Sequence, residues 1–415
     1  MLTDLFPRAH KQYSRLPLFG SVLDEFADWL ASDGYHRGLV YRHIWTTRDV
    51  DQRLRTRGCN SLSEINRETL DAIRPKDSQD NVYLASTVRL WERYLEERAL
   101  LPKPQSTPSE LLAMEYRQYL EAVRGLSVST LNQHCSTVIV FLDHIGYEQD
   151  PCTIAQIDRS VLEQFIKLRG DRVNRFSLQH EVAHLRSFLR FLGMQRKIRP
   201  GLDSQIDTPR VYRGEQLPRS LPWDTVCALL NSIDRRTPMG RRDYAMLSLI
   251  TTYGLRSCDI VALTLDDIHW RLDQIRIPIR KTGATLALPL TNAVADSLVQ
   301  YLRRGRPSLP YREVFLRCRA PAGTLKPTAV TEMFQACVKR SGLNIPFQGP
   351  HCLRHSYAAH LLRQGTPLKL IGDLLGHRLA ESTCMYLRLA VEDLRDVALD
   401  LPKTHRSEAK KEEAR

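Results

Sequence analysis

The 415-residue chain contains no run of 18 or more apolar residues, so no segment of it reads as a membrane-spanning helix. Its first residues, "MLTDLFPRAHKQYSRL", lack an apolar signal core followed by a small-residue cleavage site. A cytoplasmic protein is the expectation. The nine cysteines are scattered and odd in number, and no C-x-x-C pair occurs. That argues against a disulfide framework and against a zinc site, and for free thiols in a reducing compartment. No G-x-x-x-x-G-K-[ST] loop is present to hold a nucleotide. Nor is there a carboxylate cluster of the kind that holds a metal pair: Asp266 and Asp267 follow an apolar helix and read as turn residues. No cofactor and no metal are expected.

Positive charge is plentiful. Lys and Arg number 60 against 47 Asp and Glu, a net charge of +13. Such a surplus suits a polyanionic partner, and double-stranded DNA is the expected one. Between 166 and 199 stand nine basic residues against Asp171 and Glu181. In that stretch Leu178, Val182, Leu185, Leu189 and Leu192 mark the buried stripe of an amphipathic helix. Arg172, Arg175, His180, Arg186 and Arg190 are the candidate DNA-binding residues around it.

Two stretches read as linkers. "LPKPQSTP" (101–108) carries three prolines in eight residues, and 200–222 is rich in Pro, Gly and polar residues without helical period. The expected organisation is therefore a helical module at 1–100, a second at 109–199, a linker at 200–222, a C-terminal domain at 223–402 and a disordered tail at 403–415. The two modules share patterns. "FADWLASDGY" (26–35) matches "YRQYLEAVRG" (116–125) at an offset of 90, and "SLSEINRETLDAI" (61–73) matches "TIAQIDRSVLEQFI" (153–166) at 92. A tandem repeat and a chance likeness of amphipathic helices both account for this.

The third domain mixes types. "RRDYAMLSLITTYG" (241–254) reads as a helix stopped by Gly254, and "DQIRIPIRKTGATLALPL" (273–290) as a hairpin turning at Lys281. The fold class is mainly α with a small β-sheet in the C-terminal domain, α+β overall. "GPHCLRHSYAAHLLRQG" opens with Pro350 and closes with Gly365, as a helix does. His351 and Arg354, three apart, share a face near its N-terminus, where free N–H groups suit phosphate. "TPLKLIGDLLGH" is a further helix, with Thr366 as its N-cap and Gly376 as its stop. His377 lies just beyond, and Tyr386 nine residues later.

Taken together, "TYGLRSCDI", the hairpin lysine, "HCLRHSYAAHLL", "LLGH" and Tyr386 resemble the tyrosine recombinases, the phage-integrase class of strand-exchange enzymes. The resemblance covers 215–402 and, more loosely, 109–199 as the family's core-binding domain. It implies Arg256, Lys281, His351, Arg354, His377 and Tyr386 as the catalytic set. Tyr386 would be the nucleophile that leaves a 3′-phosphotyrosine, and Lys281 the general acid for the 5′-oxygen. His351 would be the acid/base for the tyrosine, and His377 would bond the phosphate. The chemistry suits these types. Guanidinium groups are planar, permanently charged and bidentate toward phosphoryl oxygens, and a covalent phosphotyrosine needs no ATP for resealing. Two positions depart from the family pattern: Cys352 stands where Asp is common, and Asp259 where Glu is usual. The resemblance further implies a homo-oligomer, a tetramer in the synaptic complex. A helix at 391–401 would be exchanged between protomers, and accessory proteins are conceivable partners. Integration of a mobile element is the expected role. The alternatives are a DNA-binding regulator or accessory recombinase of the same fold, and a type IB topoisomerase.

Overall fold

The computed structural model describes residues 2–75, 82–101, 106–212, 215, 217–278, 285–377, 379 and 381–389. Lys281 and the segment 391–401 lie outside the described residues, as does the tail at 403–415. The chain forms two compact units, one of Met1–Tyr94 with Gln216–Arg415 and one of Leu95–Glu215.

The N-terminal part of the first unit opens with two short helices, α1 (Leu2–Leu5) and α2 (His10–Tyr13). Then come α3 (Leu23–Ser32), α4 (Arg37–Arg55), a 3-10 turn at Leu62–Glu64, α5 (Arg67–Ile73) and α6 (Val82–Glu97). The second unit follows with α7 (Pro108–Arg124), α8 (Val128–His144), a 3-10 segment at Pro151–Gln156, α9 (Arg159–Gly170) and α10 (Arg175–Met194). The element order from α3 to α6 is therefore that of α7 to α10.

The equivalence reaches single residues. His36 caps α4 and Ser127 caps α8; Asn66 caps α5 and Asp158 caps α9. His43 on α4 and His134 on α8 are both buried, as are Thr46 and Thr137. His43 Nδ1 bonds Thr87 Oγ1 at 2.9 Å, and His134 Nδ1 bonds the Tyr116 hydroxyl at 2.9 Å. Burial lowers both imidazoles to about 4, so each sits neutral in its core.

The second core includes the whole predicted stripe, Leu178, Val182, Leu185, Leu189 and Leu192. It also takes in Leu202 and Ile206, which the sequence reading placed in a linker. A 3-10 turn at Leu202–Gln205 folds back against α10 and buries them.

The C-terminal part of the first unit contains α11 (Trp223–Asn231), α12 (Pro238–Tyr253) and α13 (Ser257–Ala262). A three-stranded antiparallel sheet follows: β1 (Ile268–His269), β2 (Gln274–Pro278) and β3 (Thr285–Pro289). Ile275 pairs with Leu288 and Ile277 with Leu286, so alternate apolar residues face the core. Then come α14 (Asn292–Arg304), α15 (Pro327–Ser341), α16 (His351–Arg363), α17 (Leu368–Leu374), α18 (Glu381–Cys384) and a 3-10 turn at Met385–Leu389. α17 is capped at Pro367 rather than at Thr366. Within this unit the Ala322 N–H donates to the Asp33 carbonyl at 2.8 Å. No helix among the described residues is long and apolar enough to cross a membrane.

Candidate active site

Two helix ends build the site. α12 stops at Gly254 in the left-handed conformation (φ +63°), and Arg256 follows two residues later as the N-cap of α13. A side chain at 254 is excluded on two counts. Few L residues adopt that φ, and a Cβ there would meet Leu375 Cδ2 at 2.6 Å. α17 is capped at its C-terminus by Leu375, and His377 follows that cap by two residues.

Arg354, on the first turns of α16, joins these ends. It donates to the Gly254 carbonyl and, at 2.6 Å, to the Leu375 carbonyl. Carbonyls at helix C-termini lack intrahelical partners and carry partial negative charge, so a guanidinium satisfies both. Arg354 is 3% exposed, and burial first, then the charge of Arg256, lowers its pKa to about 10.

The same guanidinium lies 3.2 Å from His377 Nε2. Arginine only donates, so Nε2 is the acceptor and the ring proton sits on Nδ1, 2.9 Å from Thr383 Oγ1. Burial, with Arg354 and Arg256 next, lowers His377 to about 4 and keeps it neutral.

Tyr386 stands on the 3-10 turn after α18, 1% exposed. Its ring lies nearly parallel to that of His377, with centroids 6.4 Å apart. Burial raises its pKa, while Arg354 and Arg256 act to lower it. The hydroxyl therefore stays protonated near neutral pH. Its partner is His355, whose Nδ1 is 3.0 Å away. Burial, followed by the charges of His351 and Arg354, brings His355 down to about 3, so it is neutral and shares a hydrogen bond with the protonated tyrosine.

The sequence reading missed His355 and gave the partner role to His351. His351 is exposed and touches His355 edge-on, with ring centroids 4.5 Å apart. The signal available was the i, i+4 spacing of the two histidines; which of them turns toward residue 386 is decided by tertiary packing. Arg256 is 21% exposed and lies 4.0 Å from buried Asp259. The structure thus brings Arg256, Arg354, His377 and Tyr386 together, and His351 stands against His355. Cys352 faces the core, where burial pushes its thiol up to about 12.

Two other tyrosines of this domain have structural tasks. The Tyr253 hydroxyl donates to the Pro289 carbonyl at 2.7 Å and accepts from the Thr291 N–H at 3.1 Å. The Tyr301 hydroxyl accepts from the Leu316 N–H at 3.1 Å.

The predicted DNA-binding residues of the second unit divide. Arg172 and His180 are exposed. Arg175 bonds Glu215. Arg186 donates to the Ile206 carbonyl, and Arg190 pairs with Asp203 at 3.4 Å. Those two arginines hold the 202–206 turn, a use the helical period alone does not reveal. Beside His180 runs an unforeseen polar groove lined by Asn132, Gln133, Ser136, Ser177 and His184. Among the described residues, no group of three or more His, Cys, Asp or Glu is placed to hold a metal ion.

Comparison with known proteins agrees with this geometry. Residues 219–393 match the model of the phage integrase family, and 113–196 that of the phage integrase N-terminal SAM-like domain. The protein y4rA of Sinorhizobium fredii, provisionally named an integrase/recombinase, is 32% identical over 91% of this chain and 93% of its own length. The tyrosine recombinase XerD of Listeria monocytogenes is 31% identical over 69% of this chain and 96% of its own. Two solved structures share the fold. One is the XerH recombinase in a post-cleavage complex with its difH substrate (TM-score 0.54, 16% identity, 81% of this chain and 92% of that one). The other is a lambda integrase dimer bound to a core site (TM-score 0.52, 19% identity, 71% of this chain and 98% of that one). The chain belongs to the phage integrase family, the tyrosine recombinases.

Proposed function

We propose that this protein is a site-specific recombinase that cuts and rejoins double-stranded DNA through a 3′-phosphotyrosine on Tyr386. The observation that carries the reading is the convergence of Arg256, Arg354 and His377 around a tyrosine whose hydroxyl is already bonded to a neutral histidine.

In the proposed step the Tyr386 oxygen attacks phosphorus and its proton passes to His355. The 5′-oxygen leaves, protonated by Lys281. Religation reverses each transfer. Arg256 and Arg354 neutralise the nonbridging oxygens, and each such preorganised donor is worth on the order of 10²–10³-fold in rate. Without DNA the proton stays on the tyrosine, because burial, and then the charges of His351 and Arg354, hold His355 far below it. An arriving phosphate adds negative charge among these groups and raises the histidines toward a useful range. The phosphate thereby helps to prepare its own attack. Tyr386 is also buried, so engagement with DNA must open the pocket.

The reading extends to a homo-oligomer, a tetramer across two sites in synapsis, and to integration of a mobile element in the cytoplasm. The test uses a nicked suicide duplex bearing a site selected from a random library. Wild type should form a covalent protein–DNA adduct and Tyr386→Phe none; an adduct in the Phe variant would overturn the nucleophile. His355→Phe should slow adduct formation by about 10²–10⁴-fold, with partial recovery at high pH as hydroxide replaces the base. Relaxation of site-free supercoiled plasmid at full rate would instead indicate a topoisomerase.

A further inference from the structure

We propose that the exposed face of α4 binds duplex DNA as a contact surface separate from the strand-exchange pocket. This rests on the recombinase reading above. The helix divides cleanly. One half of its circumference buries Val40, Ile44, Val50 and Leu54 in the first helical block. The other half exposes Tyr41, Trp45, Arg48, Gln52 and Arg55 in one stripe, flanked by Arg42 and Arg53.

The charge on that half is predominantly positive. α4 carries five arginines and two carboxylates. Asp51 is turned inward and accepts the Leu18 N–H at 2.9 Å, which leaves half-buried Asp49 alone against the arginines. Arg37 is committed to the Asp4 carbonyl and Arg42 lies over the Tyr83 ring. Arg48, Arg53 and Arg55 pair with no carboxylate among the described residues. Three unpaired guanidinium groups along a helix suit phosphate oxygens, which they can bind bidentately.

The aromatics make the same point. Trp45 is 49% and Tyr41 45% exposed at the N-terminal end of the stripe, Trp45 one turn before Arg48 and Tyr41 with its ring stacked on Phe6. An amphipathic ring flanked by arginines can pack on the sugars and bases of a duplex. A helix of 19 residues spans about 28 Å and is narrow enough for the major groove, about 12 Å wide.

The second block sharpens the assignment. α8 holds the equivalent place there, yet its exposed face offers uncharged Asn132, Gln133, Ser136 and Ile139. The first block has put Tyr41, Arg42, Trp45 and Arg48 where the second has two amides, a hydroxyl and an isoleucine. Charge also disfavours a second copy of the chain as occupant. A two-fold contact sets the same patch against itself, and here that opposes arginine to arginine.

The experiment measures binding of the full-length protein to a 40-base-pair mixed-sequence duplex by fluorescence anisotropy over a range of NaCl. Arg48→Ala/Arg53→Ala/Arg55→Ala should weaken binding at least 10-fold near 0.1 M salt. The slope of log K against log salt should fall by about 2–3, since each lost phosphate contact removes about 0.9. Trp45→Ala should weaken binding without changing the slope. All four residues are exposed, so melting midpoints should match wild type. Affinity and slope equal to wild type in the triple variant would overturn this inference alone, whatever the state of the Tyr386 adduct. A triple variant that keeps its DNA affinity but loses self-association in sedimentation would overturn it in favour of a second copy. Wild type without affinity for any duplex would remove the recombinase reading as well.

Discussion

Arg354 and Arg48 are the same residue type in opposite surroundings. Arg354 is 3% exposed and spends its fork on the Gly254 and Leu375 carbonyls, with His377 alongside. Arg48 lies on the solvated half of α4 and pairs with no carboxylate among the described residues. The difference separates two ways in which charge serves a DNA enzyme. In the pocket, an arginine must hold the fold before it can hold a phosphate. On the open face, an arginine contributes nothing to the fold and is available wholly to a partner.

The largest effect expected from this contrast is at Arg354. Arg354→Ala should abolish adduct formation and destabilise the protein by about 3–5 kcal/mol, because two buried carbonyls lose their donor. Arg354→Lys should not restore either property, since an ammonium cannot bridge both carbonyls in a plane. Denaturant melts and the suicide-substrate assay read the two effects separately.

Gly254→Ala comes next. It should cost about 1–3 kcal/mol, combining left-handed strain with the close approach of Leu375. A melt equal to wild type would show that the α12 end is not tightly packed. Arg256→Ala should sharpen the contrast by dissociating the two effects: adduct formation down about 10²–10³-fold, stability changed by less than about 1 kcal/mol.

The pocket also predicts an acid limit, to which buried His43 and His134 add. His355 and His377 have folded pKa values lowered to about 3 and about 4. Between those values and the ordinary 6.5 the unfolded chain binds more protons, so stability falls as pH drops through that window. The melting midpoint should decline from pH 7 to pH 4, and His377→Gln should flatten part of the decline. The smallest change is expected at Arg48→Ala, within about 0.5 kcal/mol of wild type in the absence of DNA.

The sequence displayed the parts whose physics is local. The Leu178–Leu192 stripe, the hairpin and the stops at Gly254 and Gly376 follow from periodicity and from left-handed glycine. Arg256, Arg354, His377 and Tyr386 were found by order and spacing along the chain, and they meet in space. Direction was not legible. A histidine on α16 faces Tyr386 or solvent according to how α16 meets the final turn, and a 3.6-residue period carries no such information. The intramolecular contacts of Arg186 and Arg190 were illegible for the same reason. Both lay off the apolar stripe, yet the turn at 202–206 folds back to claim them.

The bonds from Arg354 to the Gly254 and Leu375 carbonyls bear on how descent within such a family is to be read. A relative that abandoned strand exchange would remain under selection to keep this arginine, because without it two helix ends come apart. Its survival in a distant sequence therefore testifies to the architecture and not to the chemistry. Witnesses to activity must be sought among residues whose loss the fold would forgive, and Arg256, half-buried and only loosely paired with Asp259, is the first to question.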